Sequence, residues 1–470
     1  MNCTTFGRAR RLFELSSFNR IQGRSNVIHF TERNLATPIQ FGSNDWYLIP
    51  KFCQWRIVMA GNGTTAPETT EPAGSLERTR EDARSGTEMN VDLAVRDRYS
   101  AAAQEAEAAL CCPVDYDPQY LKIIPDEIIE RDYGCGDPSR WVKEGETVLD
   151  LGSGGGKICY IAAQIVKESG RVIGVDCNDT MLDLARRHQP GISKTLGYDV
   201  VDFRKGRIQD LQLNLERLDE YLKNNPVDSV DDWQKLQEHQ DHLRKTEPLI
   251  ESDSVDVVVS NCVLNLVREE DRRQLFSELF RVLKRGGRAV ISDIVSDETI
   301  PESLRNDPNL WSGCISGAFR EDLFLDAFTD AGFYGVEIMA RQSEPWAIID
   351  GYEFRSLTVQ AFKGKEGPCL DHKQAVIYKG PWKTVTDDDG HKLVRGQRMA
   401  VCKKTFDLYS KAPYAEQIIP IEPSEPVSSD KAQPFNCHGT PIRSPKETKS
   451  GQPVLNLLPS ESECGSEGCC

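Results

Sequence analysis

Between residues 147 and 293 the chain alternates short apolar runs with amphipathic stretches. Thr147 to Leu151, Arg171 to Val175, Val201 to Phe203, Val255 to Ser260 and Arg288 to Asp293 are β-branched or Leu-rich runs of strand length. Lys157 to Glu168, Asp179 to His188 and Glu270 to Leu283 carry apolar residues at helical spacing between them. Strand and helix in turn predict an α/β fold with a doubly wound parallel sheet. Upstream, the Ala-rich run Asp92 to Leu110 and the stretch Asp117 to Ile129 predict two further helices.

Residues 211–252 interrupt the alternation. Leu213, Leu215, Leu218, Tyr221 and Leu222 fall at near-helical spacing with no strand pattern, so a helical insertion between two strands is expected. His239 and His242 sit three apart on one face of it, which a solvated polar face explains better than a metal site. From about residue 349 the pattern changes. Ser356 to Phe362 and Gln374 to Tyr378 predict strands of a small C-terminal α+β domain over 349–422. Residues 423–470 are rich in Pro, Ser and Lys and are expected to be a disordered tail carrying cysteines.

The first 90 residues lie outside this rhythm. Residues 1–58 are rich in Arg and Ser, with only Glu14, Glu32 and Asp45 acidic. Such a composition suits an organelle transit peptide, or an upstream leader with synthesis starting at Met59. The following stretch to about Asn90 reads as a disordered linker. Organelle import therefore stays open beside a cytoplasmic location.

Composition removes several function classes. A formal net charge of −16 argues against a phosphate-backbone partner, and no apolar run reaches a membrane span of ~18 residues. The 15 cysteines are odd in number, scattered and free of any Cys-x-x-Cys pair, which favours free thiols in a reducing compartment. Nothing points to an oligomer, and a monomer is expected.

The segment Val148-Leu-Asp-Leu-Gly-Ser-Gly-Gly-Gly-Lys157 runs a buried strand into a glycine-dense turn that opens a helix. Its glycines do not fit a G-x-G-x-x-G dinucleotide fingerprint in any register, because Asp150, Lys157 and Cys159 occupy required glycine positions. Asp150 would repel a pyrophosphate at the helix N-terminus but suits a cationic ligand. Asp176 closes the second strand about twenty residues later, where a carboxylate accepts ribose hydroxyls. S-adenosylmethionine, cationic and without phosphate, satisfies both. Asp150, Gly152, Ser153 and Gly154 are expected along its methionine portion and Asp176 at the ribose. Lys157 and Cys159 are expected to pack behind the turn, and Cys159, Cys177 and Cys402 to be small core residues.

Four motifs then occur in order: Tyr133-Gly-Cys-Gly136, Asp150-Leu-Gly-Ser-Gly154, Ser260-Asn-Cys-Val-Leu-Asn-Leu266 and Gly313-Cys-Ile-Ser-Gly-Ala318. With Gln374-Ala-Val-Ile-Tyr378 and the Cys-rich end, the set resembles the arsenite methyltransferase family over roughly residues 92–425. The resemblance implies a Rossmann-like class I methyltransferase sheet over 91–348 and transfer of methyl groups from S-adenosylmethionine to thiolate-bound As(III). It implies Cys135, Cys262 and Cys314 as arsenic ligands, with an upstream fourth cysteine at Cys111 or Cys112, of which Cys112 is favoured. It places Arg207 and Ile208 at the adenine; Tyr133 is read as a cap over the cofactor, and Asn261, beside Cys262, as facing it. Arsenite or its glutathione complex would be the substrate, and glutathione or thioredoxin the reductant. Arsenic(III) is soft, prefers sulfur and keeps a lone pair when bound by three thiolates, so no general base is required. Rival readings are a methyltransferase for a small lipid or quinone, and a thiol protein that only sequesters metalloid.

Overall fold

The computed structural model describes residues 91–105, 107, 114–437 and 441–449, together with short strands between residues 27 and 59. The chain divides into two compact units, Met1–Arg84 and Ser85–Cys470. In the first, Val27–Ile28 pairs with Ile39–Gln40 and Trp46–Lys51 with Gln54–Met59, both antiparallel. The rest of the stretch read as leader and linker lies outside the described residues.

The second unit is organised by one mixed sheet. Its main strands are β1 (Thr147–Leu151), β2 (Arg171–Asp176), β3 (Val201–Lys205), β4 (Val255–Asn261), β5 (Leu283–Ser296), β6 (Tyr334–Arg341) and β7 (Tyr352–Phe362). They lie in the order β6-β7-β5-β4-β1-β2-β3. β1 to β5 are parallel, and β7 runs antiparallel to both β5 and β6. The parallel sheet expected over residues 147–293 is formed by β1 to β5, and β6 and β7 extend it with a reversed strand. This is the class I methyltransferase arrangement, a Rossmann-like sheet with a reversed strand near one edge.

Central strands are apolar at successive positions because both faces are covered. Val148, Val257 and Val259 enter one hydrophobic cluster, with Ile161 and Leu182 from the helices on that side. Leu149, Leu151 and Val258 enter the other, with Leu275, Phe324 and Phe328. Each such fully buried side chain contributes about 1.5–3 kcal/mol over its exposed state. Charge at the interior edge of this core therefore needs a reason, and Asp150 and Asp293 are both buried at strand positions.

Several boundaries move. The first helix ends at Ala102, and Pro125 divides the second stretch into Pro118–Leu121 and Asp126–Glu130. The insertion is two helices, Leu215–Asn224 and Val230–Thr246, which close a small core of Leu213, Leu218 and Leu243. On it His239 stacks on Tyr221 and His242 is exposed.

Two domain expectations are corrected. Ser356 to Phe362 does not belong to the C-terminal domain; it is part of β7, paired with β5 from Phe354↔Ser296 to Phe362↔Arg288. The small domain begins after it. Its three-stranded antiparallel sheet places Ala375–Tyr378 between Arg398–Ala400 and Ile418–Ile421, under the helix Lys403–Tyr409. Nor does the chain become structureless at residue 423. Gln433–Pro434 pairs with Leu370–Asp371, Arg443 bridges to Asp371 at 2.6 Å, and Ser444 and Glu447 form a capping box on Pro445–Thr448. Among the described residues no helix is long and apolar enough to cross a membrane.

Candidate active site

The sheet order reverses between β1 and β4, and a cavity of about 330 Å³ opens at the carboxyl ends of the strands there. The turn after β1 forms its floor. Gly152, Gly154 and Gly156 hold φ of 68°, 50° and 87°, and a Cβ on Gly152 would meet the Val263 side chain at 2.4 Å. The amides of Gly152 and Ser153 donate to the carbonyl of Val175, and that of Gly154 donates to Asp176 at 2.8 Å. Asp176 thus ties the turn to β2 while lining the cavity.

All nine residues expected around the cofactor, Tyr133, Asp150, Gly152, Ser153, Gly154, Asp176, Arg207, Ile208 and Asn261, line this one cavity. Burial pushes the Asp150 carboxyl up to about 7, with Asp132 and Asp176 adding and a hydrogen bond from the Cys159 thiol at 3.2 Å opposing. Burial also raises Asp176. The Ser153 hydroxyl is buried without a hydrogen-bond partner among the described residues. Two carboxyls held partly against ionisation and an orphan hydroxyl suit a ligand with positive charge and hydroxyl groups, as S-adenosylmethionine has.

Cys262 lines the same cavity and joins it to a cluster of sulfur. Cys135, Cys262 and Cys314 are buried together, with Ile294, Ile300 and Phe354 around them. The Sγ atoms of Cys135 and Cys262 and a carboxylate oxygen of Asp293 lie within 4.8 Å of one another. The Cys314 thiol donates to the carbonyl of Cys262 at 3.2 Å, and the Tyr99 hydroxyl lies 3.9 Å from its sulfur. The Cys135 thiol holds Cys262 well above the usual thiol range, Cys314 opposes in part, and burial adds. Contact with Cys262, then burial, raises Cys314. Cys262 and Cys314 are therefore held as thiols until a ligand displaces their protons.

Each sulfur arrives by a specific local device. Cys262 and Cys314 both have φ of 63°, the left-handed region that costs an L-residue roughly 1–2 kcal/mol. Cys135 is set by Asn261, whose Oδ1 accepts from the amides of Cys135 and Gly136 at 2.9 and 3.0 Å. Its Nδ2 donates to the Gly136 carbonyl and to the Tyr116 hydroxyl. A Cβ on Gly134 would fall 2.0 Å from Asn261 Nδ2, so the glycine is what lets the loop close on that clamp. Asn261 borders the cofactor cavity, but its polar atoms serve the cysteine loop. Tyr133 likewise spends its hydroxyl on the Ala102 carbonyl at 2.8 Å and meets Tyr99 edge-on.

Cys112 and its alternative Cys111 lie outside the described residues. Cys159 and Cys402 are buried as expected, whereas Cys177 is exposed and lines the cavity, so its reading as a core residue is corrected: it follows the last residue of β2, beyond the packed sheet. Sequence reasoning missed Tyr99 and Asp293. It also missed Lys157's ion pair with Asp132 and its ammonium 3.8 Å above the Tyr116 ring. An acidic residue late in a buried strand is the only signal that marks Asp293.

The sheet, the cavity at its switch point and the paired carboxyls define a methyltransferase that uses S-adenosylmethionine. A family model described as a methyltransferase domain matches residues 142–241 and 230–332, and one described as a domain of unknown function (DUF8838) matches 365–453. The arsenite methyltransferase of Aquipseudomonas alcaligenes is 30% identical over 331 residues, 67% of this chain and 85% of the relative. That of Halobacterium salinarum is 31% identical over 314 residues, 64% of this chain and 69% of the relative. The crystal structure of an arsenic(III) S-adenosylmethionine methyltransferase from Chlamydomonas reinhardtii is 27% identical with a TM-score of 0.45, covering 69% of this chain and 100% of that one. The chain belongs to the arsenite methyltransferase family.

Proposed function

We propose that the chain methylates trivalent arsenic held by Cys135, Cys262 and Cys314. The carrying observation is that three buried thiols from separate segments share one cluster that reaches the cofactor cavity through Cys262, two of them on left-handed backbone. Sulfur is the donor a soft metalloid prefers, and a cluster of thiols becomes a binding site when arsenic takes the place of their protons.

Bound S-adenosylmethionine supplies an electrophilic methyl group on a sulfonium. Asp150, Asp176 and Ser153 are placed to hold its charged and hydroxyl groups, and Cys262 to keep the metalloid against the same cavity. The remaining work is alignment, because the attacking lone pair carries no proton. Asn261 fixes Cys135, the Cys314 thiol meets the Cys262 carbonyl, and Asn265 donates to Asp293 at 2.8 Å behind them. A methylated arsenic is formally pentavalent, and two thiols becoming one disulfide return the two electrons that restore the trivalent state. An external thiol such as glutathione or thioredoxin then reopens the disulfide.

Release of S-adenosylhomocysteine, measured with and without arsenite, tests the reading. Arsenite-dependent release is expected, falling roughly 10²-fold or more in Cys262→Ser and Cys314→Ser. Unchanged turnover in those variants, or release indifferent to arsenite, would refute it; binding without release would leave a sequestration protein.

A further inference from the structure

A second group of three thiols lies in the C-terminal domain. The Sγ atoms of Cys369, Cys402 and Cys437 are within 4.8 Å of one another, although the residues lie more than thirty positions apart along the chain. All three fall inside the region that matches a domain of unknown function. We propose that they form a holding site for one trivalent arsenic, separate from the site of methyl transfer. This rests on the reading above in taking arsenic to be the substrate.

The grouping is built into the fold. Cys369 and Cys437 flank the paired segments Leu370–Asp371 and Gln433–Pro434, and the Phe435 amide donates to the Cys369 carbonyl at 2.8 Å. Cys402 closes the cluster from below. It is fully buried, and its sulfur accepts from the Thr405 amide at 3.4 Å and lies 3.2 Å from the Thr405 hydroxyl. Cys369 and Cys437 are half-buried, so the group has one closed side and two sulfurs at an accessible rim.

Its donor set selects the ligand. Among the described residues the group consists of thiols, whereas the group of Cys135 and Cys262 includes Asp293. Thiolates without carboxylate or imidazole favour soft ions. Bonds of about 2.3 Å put three sulfurs roughly 3.4 Å apart around a pyramidal ion, so sulfurs already within 4.8 Å of one another need to close by at most about 1.4 Å. A pyramidal three-coordinate ion needs only the three thiols that the described residues bring together, whereas tetrahedral zinc takes a fourth ligand. In chemical terms arsenous acid exchanges three hydroxyl groups for three thiolates. Each thiol gives its proton to a departing hydroxyl, three waters leave, and arsenic stays trivalent. None of the three cysteines lines the cofactor cavity, so arsenic held here has no methyl donor beside it. Holding, not transfer, is what the position permits.

The test uses the full chain, reduced and desalted after incubation with arsenite, with bound arsenic counted by mass spectrometry. The Cys135→Ser/Cys262→Ser/Cys314→Ser protein is expected to retain an equivalent that disappears when Cys369→Ser and Cys437→Ser are added. Cys402→Ser in the same background should lose it too, while its hydroxyl still caps the helix and keeps the fold. X-ray absorption of the lost equivalent should show three sulfur neighbours. Equal arsenic content with and without the Cys369 and Cys437 replacements would overturn the proposal, as would zinc that arsenite fails to displace from the three thiols. Arsenite-dependent release of S-adenosylhomocysteine reports the transfer site separately. Its absence alongside an intact holding equivalent would refute the proposed activity and leave this site standing.

Discussion

Asp150 offers the sharpest quantitative test, because its burial sets two measurable quantities against each other. It is 2% exposed, and its carboxyl is raised from 3.8 to about 7. Ionising it in the empty cavity therefore costs about three pKa units, on the order of 4 kcal/mol. With a folded-state value above the unfolded one, its contribution to stability is fully present below about pH 3.8. It is lost as the pH rises through about 7. A cationic ligand reverses the balance, because the carboxylate is the form it needs. Asp150→Asn keeps the shape and an oxygen for the Cys159 thiol but removes the titration.

Urea unfolding of the ligand-free proteins between pH 4 and 8 should show the variant gaining on wild type by about 1.4 kcal/mol per pH unit at most, levelling above 7. The full gain should approach about 4 kcal/mol. Calorimetry should show the opposite for the cofactor. Wild-type affinity for S-adenosylmethionine falls by up to about tenfold per pH unit below 7, and the variant binds weakly with little pH dependence. Taking the difference between the proteins removes carboxyls shifted the other way, such as Asp202 and Asp387. Parallel stability curves would mean that Asp150 is already ionised without ligand, and the account of the cavity as poised for a cation would fail.

Three further outcomes follow from the sulfur wall. Asn261→Ala removes four hydrogen bonds around Cys135 and Gly136, so kcat with arsenite should drop at least tenfold while S-adenosylmethionine affinity changes severalfold at most; equal losses in both would make Asn261 a cofactor ligand instead. In Gly317→Ala the new Cβ would stand 1.9 Å from the Asn265 carbonyl, so the loop carrying Cys314 must shift. About 1–3 kcal/mol of stability and most arsenite-dependent turnover should go, with cofactor binding retained in calorimetry. Strain at the ligands predicts that Cys262→Gly and Cys314→Gly are each more stable than the matching Ala variants by about 1 kcal/mol in urea unfolding; Ala variants of equal or higher stability would show that no strain is stored there.

What the sequence disclosed, and what it withheld, follows from the range of the interactions concerned. Thr147 to Leu151 is legible because a strand covered on both faces must be apolar throughout, and the glycine turn because only glycine tolerates φ near +60° beside a packed Val263. Pairing over a distance leaves no such mark. The run Ser356 to Phe362 reads equally well as a strand of either domain, and only its register against β5, some sixty residues earlier, decides. Residues 423–437 and 441–449 are polar because they supply no core of their own; they are tied to the small domain through Gln433–Pro434 and Arg443, which composition alone cannot distinguish from disorder. The cysteines divide in the same way. Cys135 and Cys314 stand in motifs with neighbouring glycines, which record the close approach of Gly134 to the Asn261 side chain and of Gly317 to the Asn265 carbonyl, while Cys262 is marked by the Asn261 beside it. Cys369, Cys402 and Cys437 stand in no motif, and Cys402 taken singly is an ordinary buried thiol. Their meeting is a property of how three chain segments close on one another, which no single segment displays.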